Sequence, residues 1–155
     1  MAALTAILVP TDFSEPACAA VRCAAGLAEP FGATLTLLHV ASDLVSQSLT
    51  AGIDSSASDR LQQEFERAAA AKLKQALGQP PLNRTGMTSA VRVGDPYDEI
   101  LRFALGHQID LIVVGTHGRR GLAHMLLGSV TEHLVRTSPC PVLTVRACQH
   151  GVQAR

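Results

Sequence analysis

Short apolar runs alternate with amphipathic segments along the whole of this 155-residue chain. The runs are rich in Val, Leu and Ile and predict strands, whereas the segments between them repeat apolar residues at helical spacing and predict helices. Strands that are apolar on both faces and alternate with helices are typical of a parallel sheet covered on both sides. The predicted strands lie at about 4–9, 34–40, 87–93, 111–114 and 142–145, and the predicted helices follow Ser14, span 61–77, follow Asp95 and span 129–137.

This alternation predicts an α/β fold, a single doubly wound five-stranded parallel sheet in the order 3-2-1-4-5 with helices on both faces. In that order strands 1 and 4 are neighbours, and their carboxyl ends flank a ligand crevice because the chain reverses direction between them. The loops 10–14 and 115–118 fall at this place. We expect one domain over 1–148 with a tail at 149–155, and a loop over the polar, Ser-rich segment 41–58.

Local signals predict where the helices begin and end. Ser14 and Asp95 are suited to the N-cap position, and Pro16 and Pro96 are suited to the first helical turn. Gly32 follows the first helix as a stop signal. The third strand alternates apolar and polar residues, so we expect it to be less buried than the others.

Composition and charge exclude several classes of protein. The chain has 13 basic and 13 acidic residues, which argues against a nucleic-acid-binding protein because those normally carry a basic stripe. No apolar run approaches the roughly 20 residues of a membrane span, and the start lacks a basic signal-peptide region, so a soluble, cytoplasmic protein is expected. No C-x-x-C pair suggests a metal or redox site among the four cysteines, Cys18, Cys23, Cys140 and Cys148.

Glycines after the fourth strand favour an anion site. Two residues separate Gly115 from Gly118, and nine residues later Gly128-Ser129 opens a predicted helix. Glycines let a backbone approach a phosphate, and a helix N-terminus supplies unpaired N–H groups. The glycines could instead serve turns and packing, but their position at the crevice favours a nucleotide or another phosphate compound. The pattern is not a P-loop, since no G-x-x-x-x-G-K-[ST] occurs.

Further candidates surround these glycines. Positive charge would come from Arg119 and Arg120, with His117 or His124 as additional sources, although all of these also fit a solvated loop. Thr116 belongs to the same loop. The run 129–132 has the pattern of a capping box with Ser129 as the N-cap, which would satisfy the helix start without a ligand.

Asp12 follows the first strand and has three interpretations. Its carboxylate could accept hydrogen bonds from ribose hydroxyls, cap the next helix, or coordinate a metal beside a triphosphate. In the second strand, His39 has the character of a hydrogen-bonded sheet residue, and the backbone of Val40 could contact an adenine edge. Nothing resembles nucleophilic hydrolase machinery, since no G-x-S-x-G is present.

The glycine pattern resembles the signature of the universal stress protein family, in its ATP-binding branch. The signature G-2x-G-9x-G-[S/T] is matched by Gly115, Gly118, Gly128 and Ser129. The resemblance extends over nearly the whole chain, through the segments 7–12, 37–40, 93–96, 110–118 and 138–146.

The resemblance implies a role for each site residue. Ribose would be contacted by Asp12 and Gly115, and adenine would be surrounded by Pro10, Thr11 and Val40. The phosphates of ATP, with or without Mg, would be held by Gly118, Gly128, Ser129 and the Val130 amide. The resemblance also implies homodimers formed through the edge strand 142–146.

We therefore expect a non-catalytic or weakly hydrolytic ATP-binding dimer that serves a stress response. One alternative is an enzyme on the same site, an ATPase or nucleotidyl transferase, for which a slow metal-assisted reaction would suit Asp12 as a ligand. A phospho-receiver domain is disfavoured. It would need an acceptor aspartate after strand 3, where Asp95 has the pattern of a helix cap, and a lysine after strand 5, whereas no lysine follows residue 74.

Overall fold

The helices and strands alternate along the chain as the apolar pattern predicts. The structure is a computed structural model that describes residues 3–46, 55–83, 86–116 and 128–147. The strands are β1 (Ala6–Pro10), β2 (Thr34–Ala41), β3 (Met87–Val93), β4 (Leu111–Gly115) and β5 (Val142–Val145). The helices are α1 (Glu15–Phe31), α2 (Ser55–Leu77), α3 (Pro96–Gly106) and α4 (Ser129–Thr137).

The five strands form one parallel sheet in the order β3-β2-β1-β4-β5, which confirms the predicted topology. In its centre, Ile7 of β1 pairs with Leu35 of β2 on one side and Leu111 of β4 on the other. From β1 the chain continues to β2 and β3 on one side of the sheet, and it then returns to β4 and β5 on the other side. The topological switch point, where the strand order reverses, therefore lies between β1 and β4.

Each face of the sheet has its own core. α1 and α2 cover the face onto which Ile7 and Val9 project, and α3 and α4 cover the face onto which Leu8 projects. Burying one such side chain completely contributes about 1.5–3 kcal/mol, so the two cores hold the strand ends on a rigid support. The first core also contains Ala20, Ala24, Leu35, Leu37, Leu73 and Val113. The second also contains Leu38, Ile100, Phe103, Ile112 and Leu134.

The predicted helix caps of α1 and α3 are confirmed. The Ser14 side chain accepts a hydrogen bond from the backbone N–H of Ala17 at 3.4 Å. The Asp95 carboxylate accepts from the N–H groups of Tyr97 at 2.9 Å and Asp98 at 3.2 Å. Gly32 ends α1 with a φ of 63°, a left-handed conformation that glycine adopts without steric cost.

α2 differs from its prediction. The helix begins at Ser55, residues 44–46 are also helical, and Ala41 belongs to β2, so the loop predicted over 41–58 is wrong at both ends. Toward the N-terminus of α2, the buried face consists of the polar residues Gln62 and Ser58. A search for apolar positions at helical spacing cannot find them. Conversely, Leu61 and Phe65, which suggested the inner face, are 44% and 52% exposed.

β3 is less buried than β1, β2 and β4, as expected, because it lies at an edge of the sheet and none of its residues is buried. The expectation does not hold against β5, the other edge strand, which has no buried residue either. Within the described ranges, no helix combines the length and the apolar character that crossing a membrane would require.

Candidate functional site

The carboxyl end of β1 is joined to β2 at the predicted crevice. The backbone N–H of Thr11 donates to the carbonyl oxygen of Leu38 at 2.8 Å, and Thr11 is 8% exposed. Pro10 is buried beside it and pairs with Leu38 in the sheet register, so Val40 lies at the same edge, two residues farther along β2. The structure therefore brings together the three residues predicted to surround a base.

Asp12 lies in the turn that leads into α1. Its Oδ1 atom accepts a hydrogen bond from the N–H of Ser14 at 3.0 Å, and Ser14 in turn is the N-cap of α1. Asp12 thus supports the cap residue instead of being the cap itself. Its position beyond the end of β1 is the one that the sequence predicts, while a ribose contact stays a prediction.

Gly115, the last residue of β4, has the packing role that the sequence offers as the alternative to a phosphate contact. A Cβ atom at this position would lie 2.7 Å from the carbonyl carbon of Pro16, 2.8 Å from its oxygen and 3.0 Å from the Ala17 nitrogen. These are backbone atoms of the first turn of α1, which cannot move aside easily. The carbonyl oxygen of Gly115 also accepts from the Thr131 hydroxyl of α4 at 2.9 Å, so this glycine joins both helix starts.

Thr116 and Gly128 close the base of the loop between β4 and α4. The N–H of Gly128 donates to the carbonyl oxygen of Thr116 at 2.7 Å, and the N–H of Thr116 donates to that of Val145 at 2.9 Å. Thr116 is 6% exposed. The start of α4 is therefore fixed at the end of β4. The other loop residues of the prediction, which lie outside the described ranges, are His117, Gly118, Arg119, Arg120 and His124.

The start of α4 corrects the predicted capping box. The N-cap is Gly128, with φ −69° and ψ 152°, and this residue has no side chain that could form the cap hydrogen bond. Ser129 is the first helical residue and is exposed, so its hydroxyl is one position too late to be the cap. The Glu132 carboxylate, which the box would turn back toward the helix start, instead pairs with Arg136 at 2.8 Å.

A cluster that the sequence analysis missed borders this edge. Phe13 has a φ of 64°, and its ring centroid lies 4.8 Å from that of His39. The His39 Nδ1 atom is 2.8 Å from the Thr11 carbonyl oxygen, which confirms the prediction of a hydrogen-bonded sheet histidine. The Nζ atom of Lys72, from α2, lies 5.4 Å from the Phe13 centroid. No local spacing in the sequence signals that Lys72 approaches the β1–α1 turn.

The segment after β2 is attached to α2 by Gln62. The Oε1 atom of Gln62 accepts from the N–H of Leu44 at 2.9 Å, and the side chain is 6% exposed. Its Nε2 atom is buried without a hydrogen-bond partner, the one such side-chain atom in the part of the chain that the structure describes.

Comparison with known proteins identifies the family. The profile of the universal stress protein family matches residues 4–146. The chain belongs to this family. Among its relatives, universal stress protein MJ0577 of Methanocaldococcus jannaschii is 32% identical over an alignment of 160 residues, gaps included. The alignment covers 90% of this chain and 93% of the relative. Universal stress protein YxiE of Bacillus subtilis is 33% identical over 144 residues, which cover 90% and 97%.

Solved structures of universal stress proteins share the fold. The structure of MJ0577 superposes with a TM-score of 0.79 at 30% identity and covers 94% of this chain and 97% of its own. A universal stress protein solved in complex with cAMP superposes with a TM-score of 0.61 at 26% identity and covers 95% and 100%. The doubly wound sheet and its switch point are therefore features that this chain shares with its family.

The described residues also bear on metal binding. Across the ranges that the structure describes, no group of three or more His, Cys, Asp or Glu side chains is arranged to hold a metal ion. Asp12 is the carboxylate that the end of β1 places at the switch point.

Proposed function

We propose that this universal stress protein binds ATP at the carboxyl edge between β1 and β4 and acts as a dimeric, nucleotide-dependent module of a stress response in the cytoplasm. The observation that carries the proposal is the start of α4. Gly128 offers no side-chain acceptor to the N–H groups of the first helical turn, and the Thr116 hydrogen bond of 2.7 Å holds that turn at the switch point.

The open helix start suits phosphate for two reasons. The N–H groups of Ser129 and Val130 have no carbonyl partner within the helix, because the first four N–H groups of any helix lack one. The helix dipole places partial positive charge at the same end. In our proposal Gly118, Gly128, Ser129 and Val130 hold the phosphates, with Thr116, His117 and Arg119 alongside them.

The adjoining strand ends suit the nucleoside. Pro10, Thr11 and Val40 form the wall that we assign to adenine, and Asp12 and Gly115 are assigned to the ribose. The universal stress protein that was solved with cAMP supports an adenine nucleotide as the class of ligand. ATP is favoured within that class by the spacing of Gly115, Gly118, Gly128 and Ser129. Binding a magnesium ion beside the triphosphate is the alternative role for Asp12.

Mass spectrometry of the small molecule released from freshly purified protein tests the ligand. We expect an adenine nucleotide, with ATP predominant, in an amount comparable with the protein. Another class of ligand, or a protein that carries none and does not bind ATP in a calorimetric titration, would contradict the proposal.

The dimer is proposed through β5. Within the described sheet this strand pairs only with β4, and it exposes Leu143 by 36%. An apolar edge strand invites pairing with a second chain. Antiparallel pairing of Val142–Val145 with its counterpart about a two-fold axis would cover it.

Sedimentation at micromolar concentration tests this assembly. We expect the wild type to be a dimer and the variant Leu143→Lys to be a monomer, because two like charges would lie near the axis. A wild-type monomer, or a Leu143→Lys variant that stays fully dimeric, would contradict the interface.

A further inference from the structure

Phe13 adopts a backbone conformation that residues other than glycine rarely take. Its φ of 64° lies in the left-handed region, and Phe13 is a bulky residue for which that region is disfavoured. Such a conformation persists where surrounding contacts determine it, and it is most common at functional sites. Here it falls in the turn between β1 and α1, immediately after Asp12.

Contacts from two other elements hold this turn. From β2, the His39 ring lies 4.8 Å from the Phe13 ring and its Nδ1 atom lies 2.8 Å from the Thr11 carbonyl oxygen. A carbonyl can only accept, so Nδ1 carries the proton in this contact. From α2, the Lys72 ammonium lies 5.4 Å from the Phe13 centroid, within the range of a cation–π interaction.

The turn determines where the Asp12 carboxylate lies. The N–H of Phe13 donates to the Thr11 hydroxyl at 3.1 Å, and the N–H of Ser14 donates to Asp12 Oδ1 at 3.0 Å. Phe13 lies between Asp12 and Ser14 in the chain, so its left-handed backbone sets how these two residues face each other. A change of φ at Phe13 would therefore break the hydrogen bond between the Ser14 N–H and the Asp12 carboxylate.

We propose that Phe13, held by His39 and Lys72, is a positioning residue that fixes the Asp12 carboxylate for the nucleotide. This inference rests on the proposed function, since it concerns the same site. It adds α2 and β2 to the determinants of affinity, although neither Phe13 nor Lys72 belongs to the glycine signature. A residue that only packs would change stability, but its effect on binding would not depend on Asp12.

A double-mutant cycle separates the two roles. Phe13→Gly removes the ring and leaves a residue that tolerates many backbone conformations, so the turn loses its fixed geometry. We expect the dissociation constant for ATP to rise about tenfold in Phe13→Gly. In an Asp12→Ala background, the same change should alter the constant by less than about twofold, because there is no carboxylate left to position.

Lys72 provides a second variant that leaves the backbone of the turn intact. Lys72→Met keeps most of the apolar side chain and removes the charge, and we expect about threefold weaker ATP binding that is again lost in the Asp12→Ala background. Lys74→Met is the matched control. It removes the same charge from an exposed position on the same helix and should leave ATP affinity unchanged.

The outcomes are distinct. Wild-type protein that does not bind ATP overturns the proposed function and this inference with it. Wild-type binding together with unchanged constants in Phe13→Gly and Lys72→Met overturns the inference alone. Equal losses of ATP affinity on Phe13→Gly in the wild-type and the Asp12→Ala backgrounds also overturn it, since Phe13 would then act independently of the carboxylate. If Phe13→Gly does not fold, the Lys72→Met cycle decides in the same way.

Discussion

Two helices, α1 and α4, begin at the same edge of the sheet and are completed differently. At α1 the Ser14 side chain accepts from the Ala17 N–H, and Asp12 accepts from the N–H of Ser14. At α4 the cap is Gly128, which has no side chain to accept from the first turn. A helix start that is capped by its own N-cap side chain serves the fold, whereas one whose N-cap is a glycine is suited to an external acceptor.

The comparison also shows why the two starts lie together. Gly115 contacts the backbone of Pro16 and Ala17 in α1, and its carbonyl oxygen accepts from Thr131 in α4. The absence of a side chain at one position of β4 therefore sets the distance between the capped and the open helix start.

The largest effect is expected at this junction. Gly115→Ala would place a Cβ atom 2.7 Å from the Pro16 carbonyl carbon, so α1 must shift. We expect the free energy of unfolding to fall by about 1–3 kcal/mol. Gly26→Ala is the matched control, because nothing lies within 4 Å of its Cβ position and alanine should stabilise α1 by about 0.5–1 kcal/mol. Urea unfolding measures both, and a Gly115→Ala variant as stable as the wild type would contradict the close packing.

The next effect separates the two helix starts directly. Ser14→Ala should lower the free energy of unfolding by about 1 kcal/mol through loss of the cap. Ser129→Ala should change it by less than about 0.5 kcal/mol, because Ser129 is exposed and does not cap α4.

ATP affinity should show the reverse order. Ser129→Ala is expected to weaken binding by about 1 kcal/mol, roughly fivefold, through loss of a phosphate contact. Ser14→Ala should leave the dissociation constant nearly unchanged. Thermal or urea unfolding and calorimetry on the same two variants measure both quantities. Equal stability losses in the two variants would make Ser129 a structural cap and remove the contrast.

The smallest effect concerns the amino-terminal ends of β1 and β4, which lie across the sheet from the proposed nucleotide site. There Asp110 Oδ2 accepts from the Thr5 hydroxyl at 2.7 Å and from the N–H groups of Thr5 at 2.8 Å and Ala6 at 3.0 Å. These hydrogen bonds, with that of the Thr5 side chain as the largest cause, lower the pKa of Asp110 below its ordinary value of 3.8.

Because the folded pKa is the lower one, this contribution to stability is present above pH 3.8 and is lost as the pH falls through the folded value. Wild type should therefore exceed Asp110→Asn in stability at neutral pH, and the difference should shrink in acid. Unfolding curves from pH 7 to pH 2 measure it, and a difference that does not vary with pH would contradict this assignment.

The sequence predicted those features that arise from local patterns. Strand positions follow from apolar runs, and the caps Ser14 and Asp95 lie next to their helices, so both could be read along the chain. The handedness of parallel connections, together with the alternation of elements, leaves few possible strand orders, and the doubly wound order fits best among them. The crevice between β1 and β4 is a consequence of that order.

What the sequence could not predict depends on contacts between distant elements. Lys72 reaches Phe13 only because α2 packs beside the β1–α1 turn, and the φ of Phe13 has no signal in its residue type. The start of α2, before residue 61, was missed because its buried position Ser58 is polar. The prediction of a capping box was wrong because the N-cap of α4 is Gly128, one residue before Ser129.

The measurement that tests the central claim most directly is a calorimetric titration of ATP into the wild type and into Gly118→Val. If the phosphates approach the backbone at the start of α4, the wild type binds ATP, and a valine at this position of the glycine signature blocks the approach. Affinity should then fall by more than about 1.4 kcal/mol, or tenfold. A folded Gly118→Val protein that binds ATP as tightly as the wild type would contradict the account.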